Sequence, residues 1–189
     1  MASGDQRAGK PPAGSGAGLR VGIVRAAWNS GIVDRLAAGV QRGLADLGVC
    51  ETTEVSVPGC FEIPLAAQML ARSGRVDAIV AIGAVIRGDT THYELVSEGA
   101  ASGLMAVQLA TEVPIGFGLV TVENHQQALV RSYVPRTAVA GDAAAGRSSA
   151  ERPKPAPGPG EHNVGEEAAC VAVTMALLAR DIASADSVR

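Results

Sequence analysis

The stretch "IRGDTTH", Ile86 to His92, gathers a guanidinium, a carboxylate, two hydroxyls and an imidazole around a single glycine. Gly88 leaves the backbone N–H groups of such a loop accessible, with Asp89 and Thr90 following it. The polar run then leads into a helix start, where unpaired N–H groups and the helix dipole favour a phosphate. The plainer reading is a strand-to-helix loop with ordinary Asp or Thr caps. His92 closes the run. An imidazole titrates near pH ~6.5, which suits proton transfer close to neutrality. A lone histidine is equally an ordinary surface or packing residue.

Other loops carry one candidate group each. Trp28, the only tryptophan, stands in "AAWNSG", where it either stacks on a planar heterocycle or packs as a partly buried side chain. Glu62, in "PGCFEIP", is able to read N–H donors on a ligand or simply to complement a helix dipole. Phe117 and Arg131 read by default as a core aromatic and a solvated charge.

These groups need a scaffold, and the periodicity supplies one. "LRVGIVRA" from Leu19 reads as a buried strand, and Ile32, Val33, Leu36, Ala37, Val40, Leu44 and Leu47 keep helical spacing. A second strand is expected at 51–57, where polar and β-branched residues alternate. Pro64 suits the first turn of a helix to about Ser73. "VDAIVAIGAVI" is a third strand, Tyr93 to Thr111 a long helix, "VPIGFGLVTV" a fourth strand and "NHQQALVRS" a helix. A last amphipathic helix runs from Glu166 through Ala169, Ala172, Met175 and Ala179. Strands alternating with helices predict an α/β fold, a parallel sheet covered on both faces. Ligands bind such sheets beyond the carboxyl ends of the strands, where the polar loop falls.

Composition sets outer bounds. The chain has 189 residues and is 47% hydrophobic but only 3% aromatic, so its core must be aliphatic. A net charge of -3 argues against nucleic acid as a partner. Cys50, Cys60 and Cys170 show no zinc or redox spacing, and their odd number suits a reducing, cytoplasmic compartment. No run of membrane length is apparent, so no membrane partner is expected. Residues 1–18 read as a disordered N-terminal tail, and 19–189 as one domain. Residues 137–162, rich in Ala, Gly, Pro and Ser, read as a flexible insertion.

The stretches "VPGCFEIPLAAQ", "AIVAIGAVIRGDTTHYELV" and "VPIGFGLVT" together resemble the 6,7-dimethyl-8-ribityllumazine synthases, the penultimate enzymes of riboflavin biosynthesis. The likeness runs from about Leu19 to Leu178, and Trp28, "HNVGEE" and the preceding insertion look most like the fungal branch. It implies a three-layer α/β/α sandwich with a central four-stranded parallel sheet of flavodoxin-like topology. It also implies a homopentamer with sites between neighbouring subunits, and neither cofactor nor metal. The reaction implied joins 5-amino-6-(D-ribitylamino)uracil to 3,4-dihydroxy-2-butanone 4-phosphate with loss of phosphate and water. Carried over by residue, Trp28 stacks on the pyrimidine, and Cys60, Phe61 and Glu62 contact the ribityl arm. Ala84, Val85 and Ile86 line the ring through backbone groups. Gly88, Asp89, Thr90 and Arg131 match the phosphate site. Asp89 puts a carboxylate near a dianion, so only its backbone N–H is expected to serve. His92 matches the proton-transferring residue and Phe117 an aromatic wall from the adjacent subunit. Many relatives carry a lysine where Val164 stands here, with His162 nearby.

Two other readings compete. One is a flavin-binding or sequestering protein on the same scaffold, with Trp28 stacked on riboflavin. The other, a flavodoxin-like electron carrier, would place its phosphate loop after the first strand, where "AAWNSG" is a poor phosphate loop.

Overall fold

The structure, a computed structural model, describes residues 10–135 and 162–186. Four parallel strands form one sheet: β1 (Arg20–Ala26), β2 (Glu51–Val57), β3 (Ala78–Ile86) and β4 (Ile115–Val122), in the order β2-β1-β3-β4. The helices are α1 (Ser30–Asp46), α2 (Ile63–Arg72), α3 (His92–Thr111), α4 (His125–Arg131) and α5 (Val164–Asp186). The expected three-layer α/β architecture is therefore present. β3 is buried along almost its whole length, which explains its unbroken apolar run. β2 lies at one edge and buries only alternate residues in part, which explains its polar alternation.

The core divides into two layers across the sheet. On one side Val21, Ile23, Val80, Ile82 and Val120 pack against Leu36, Val40 and Leu44 of α1 and Ala169, Ala172 and Val173 of α5. On the other, Val24, Ile79, Ala81 and Leu119 meet Ile63, Ala67 and Leu70 of α2 and Ala100, Leu104 and Val107 of α3. Small residues let the first layer close tightly. A methyl group on Gly39 would come within 1.9 Å of Asn163 Oδ1. Asn163 uses that same oxygen to accept from Gly165 and Glu166 N–H groups, while its Nδ2 donates to the carbonyls of Arg35 and Tyr133. One buried amide thus caps α5 and ties it to α1.

Two expectations need correction. Residues 10–18 are not a free tail. They form turns in which the Gly14 and Gly16 N–H groups donate to the Asp46 and Leu47 carbonyls at 3.2 and 2.7 Å, with Lys10 paired to Asp46 at 3.0 Å. The end of α1 offers unpaired carbonyls, and these turns meet them. Residues 1–9 and 137–161 lie outside the described residues. The expected lack of a membrane-length apolar stretch also fails for α5. Its Val164–Ala185 segment, with an 18-residue window of mean hydropathy 1.6, is long and apolar enough to cross a membrane by length and composition alone. One face of it, Ala168, Ala169, Ala172, Val173 and Ala176, is spent on the core.

Candidate active site

The carboxyl ends of β1, β2 and β3 converge on one cluster. After β1 the chain keeps company with β2: Ala27 N–H donates to the Val57 carbonyl at 2.8 Å and Trp28 N–H to Pro58 at 3.1 Å. Asn29 then takes a left-handed conformation (φ 58°) and starts α1 without a side-chain cap. Its Nδ2 instead donates to the Ala84 carbonyl at 2.8 Å, binding the loop after β1 to the end of β3. The indole of Trp28 rests over Gly59 and is 65% exposed. Most of the ring is thus left open to solvent.

After β2, Cys60–Glu62 form a short 3₁₀ turn that periodicity did not anticipate. Glu62 Oε2 accepts the Gly59 N–H at 3.0 Å, so the carboxylate fixes the backbone beneath the indole while remaining exposed. Phe61 is 61% exposed, with its ring edge against Gly99 of α3. Cys60 is buried, and burial pushes its thiol from 9.0 up to about 11, against the lowering effect of an Ala84 backbone hydrogen bond. Its side chain is thus a core group. Ala84 and Val85 are buried and Ile86 half-buried.

Beyond β3, Gly88, Asp89, Thr90 and His92 are all exposed along one loop. Thr90 Oγ1 accepts the His92 N–H at 3.4 Å, while the N-cap Thr91 makes no side-chain cap bond. The first turn of α3 therefore lacks a cap from its N-cap side chain. Next to it lies a network that spacing alone did not reveal. Arg87 pairs with Glu94 and, at 2.7 Å, with Glu123, and its guanidinium sits 4.2 Å above the Tyr93 ring. The hydrogen bond from Arg87 holds the Glu94 carboxyl below its ordinary range. An arginine followed seven residues later by an acid was the available signal.

Phe117 does not join this cluster. Phe117 pairs in register with Ala81, and Ala81 with Val24, so two strand spacings, about 10 Å, separate it from β1. It is 45% exposed on the edge strand β4. Arg131 ends α4 and lines a cleft of about 460 Å³ with Thr121, Val122, Gln126, Gln127, Val130 and His162, and Val122 pairs with Ile86 at the end of β3. His162 is fixed there by backbone bonds to Val130 and Tyr133, with its Nε2 3.9 Å from Glu167. Val164, by contrast, packs against the core.

The family model for 6,7-dimethyl-8-ribityllumazine synthase matches residues 18–180. The chain is 53% identical over 117 residues to a protein of that name from Kineococcus radiotolerans, covering 62% of this chain and 72% of the relative. A Pseudarthrobacter chlorophenolicus relative of the same name is 47% identical over 117 residues, 62% of this chain and 71% of its own. One from Mycolicibacterium paratuberculosis is 45% identical over 127 residues, 67% and 78% of the two chains. These relatives are bacterial, and the fungal-branch likeness finds no support among them. The match spans both the cluster around Trp28 and His92 and the cleft of Arg131, and the chain belongs to the 6,7-dimethyl-8-ribityllumazine synthase family.

Proposed function

We infer that this chain condenses 5-amino-6-(D-ribitylamino)uracil with 3,4-dihydroxy-2-butanone 4-phosphate at a site completed by two copies of itself. The observation that carries the shared site is Phe117. It is a large aromatic left 45% exposed on an edge strand, out of reach of the Trp28 cluster in its own chain. Leu65, Met69, Leu95, Met105 and Leu109 of α2 and α3 are also exposed, an apolar surface suited to a neighbouring subunit. In this reading one copy supplies Trp28, Cys60–Glu62, Ala84–Ile86, Gly88–Thr90 and His92. The next supplies Phe117 and Arg131.

The uracil stacks on the free face of Trp28, with its ribityl arm toward Glu62. The butanone phosphate lies with its dianion against the N–H groups of Gly88–Thr90 and the neighbour's Arg131. Asp89 contributes only its backbone N–H there. Holding the two substrates side by side is the main catalytic device, and orientation can offset ~7–11 kcal/mol in favourable cases. The ring amine attacks the ketone and water leaves as the imine forms. Phosphate departs, the enol tautomerises to a ketone, and the second amine closes the ring on that carbonyl with loss of a second water. His92 moves protons through these steps. Riboflavin carries the same ribityl arm as the product and, like it, a planar ring system, which supports its binding on Trp28. A cytoplasmic location suits the free Cys50, Cys60 and Cys170. Placement in a fungal branch rests on Trp28, "HNVGEE" and the preceding insertion alone.

The family resemblance supports a pentamer. The sequence inserts residues 137–162, rich in Ala, Gly, Pro and Ser, between α4 and α5, and an insertion of that length there favours the isolated pentamer over a closed shell. Light scattering tests the assembly: five chains of 19.1 kDa give a particle near 95 kDa. A megadalton particle would mean that the insertion tolerates shell packing, and a stable monomer would remove the shared site. Mixing both substrates with the protein and following lumazine absorbance tests the activity. Flavin binding without product formation would favour a sequestering protein instead.

A further inference from the structure

Three elements meet at one guanidinium beside His92. Arg87 follows β3, Glu94 lies in the first turn of α3, and Glu123 follows β4. Arg87 Nη1 pairs with Glu94 Oε1, and its Nε donates to Glu123 Oε2 at 2.7 Å. The guanidinium stacks 4.2 Å above Tyr93, and the Arg87 backbone N–H donates to the Val122 carbonyl at 2.9 Å. The other Glu94 oxygen, Oε2, is shielded from solvent, so this carboxylate is turned toward the protein.

His92 opens α3, immediately before Tyr93 and two residues before Glu94. The helix start around it has no conventional cap: Thr91 makes no side-chain cap bond, and the Thr90 hydroxyl reaches the His92 N–H only at 3.4 Å. The contacts from Arg87 to the two residues after His92 therefore stand where a cap would ordinarily fix the first turn. A planar guanidinium can hold two carboxylates and an aromatic face at once, and an ammonium cannot.

We propose that Arg87 is a positioning residue: by clamping Tyr93 and Glu94 to the end of β4, it sets where the His92 imidazole stands over the reacting atoms. The inference rests on the reading of His92 as the proton-transferring group. Arg87 itself touches no substrate. Its loss should lower turnover without weakening the binding of either substrate, and only while His92 is present to be misplaced.

The test is steady-state kinetics with both substrates on the wild type, R87Q, H92A and the double variant, in the full-length assembled protein. R87Q should lower kcat about tenfold, a fraction of the ~10²-fold that a 1 Å misplacement can cost, with KM changes within about twofold. R87K should restore only part of that loss, and E94Q should show a fall similar to that of R87Q. In the H92A background R87Q should cost nothing further. An equal fall in both backgrounds, or a rise in KM at unchanged kcat, would overturn the proposal. If R87Q loses its circular dichroism signal or its assembly, R87K and E94Q carry the same comparison against H92A. Full activity in H92A would instead remove the His92 reading, and with it the role given to Arg87.

Discussion

The indole of Trp28 lies across Gly59 so closely that a methyl group there would come within 2.8 Å of Cε3 and 2.9 Å of Cζ3. One face of the ring is thus seated on bare backbone, and that backbone is itself held by Glu62 through the Gly59 N–H. Gly59→Ala should leave the fold intact, because an exposed indole can swing away at little cost. It should displace the platform, however. Riboflavin should quench the tryptophan fluorescence of the wild type, quench it weakly in Gly59→Ala, and produce no signal in Trp28→Gly. Since Trp28 is the only tryptophan, quenching equal to wild type in Gly59→Ala would show that the Gly59 backbone does not seat the indole, and flavin fluorescence still quenched by Trp28→Gly would show that the flavin binds elsewhere.

His92→Ala should fold normally, because the side chain is exposed at the start of α3. Its kcat should fall on the order of 10²-fold, the scale of one general acid–base group, with both KM values less affected. An unchanged kcat would take His92 out of the chemistry.

Arg131→Ala should discriminate between the substrates. Arg131 shares its cleft with Gln126, Gln127 and His162, a polar lining suited to an anion. Losing a charge-assisted hydrogen bond costs ~1.5–3 kcal/mol, so KM for the butanone phosphate should rise roughly 10- to 100-fold. The KM for the uracil should change little. Equal effects on both substrates would contradict a phosphate-specific role.

Cys60 gives a pH signature. Its thiol titrates at about 11 in the fold against 9.0 ordinarily, so the folded protein holds a proton that the unfolded chain loses first. Stability from this group is present below pH 9 and is lost as pH rises toward 11. The loss is on the order of 2 kcal/mol by pH ~10.5. Urea denaturation should therefore show the wild type losing more stability than Cys60→Ala between pH 8 and 10.5. Parallel pH profiles for the two would refute a buried protonated thiol. At neutral pH Cys50, the exposed cysteine, should react with a thiol reagent well before Cys60.

Much of this architecture is written locally. The unbroken apolar run of β3, the alternation of β2 and the helical spacing of Ile32, Leu36, Val40 and Leu44 each follow from how many faces an element buries. What the sequence hid are contacts between distant positions. Lys10 pairs with a residue 36 positions on, and Asn163 with a backbone group 128 positions back, so "GKPPAGSGAG" looked like a tail and Asn163 like an ordinary helix start. Asn29 reads as a turn residue, yet its amide spans 55 positions to Ala84. The candidate site was legible only as separate loops. Periodicity places Trp28 and His92 at the same end of the sheet, but nothing in it says that Phe117 lies on an edge strand, two strands from β1.

The claim that two copies share each site has a direct measurement. His92→Ala and Arg131→Ala proteins, each nearly inactive under limiting butanone phosphate, are dissociated, mixed in equal amounts and reassembled. If one subunit supplies His92 and its neighbour Arg131, random co-assembly leaves about a quarter of the sites with both groups intact, and activity should return to about a quarter of wild type. Activity that stays at the mean of the two parents, in particles shown to contain both chains, would place His92 and Arg131 in the same subunit and contradict the shared site.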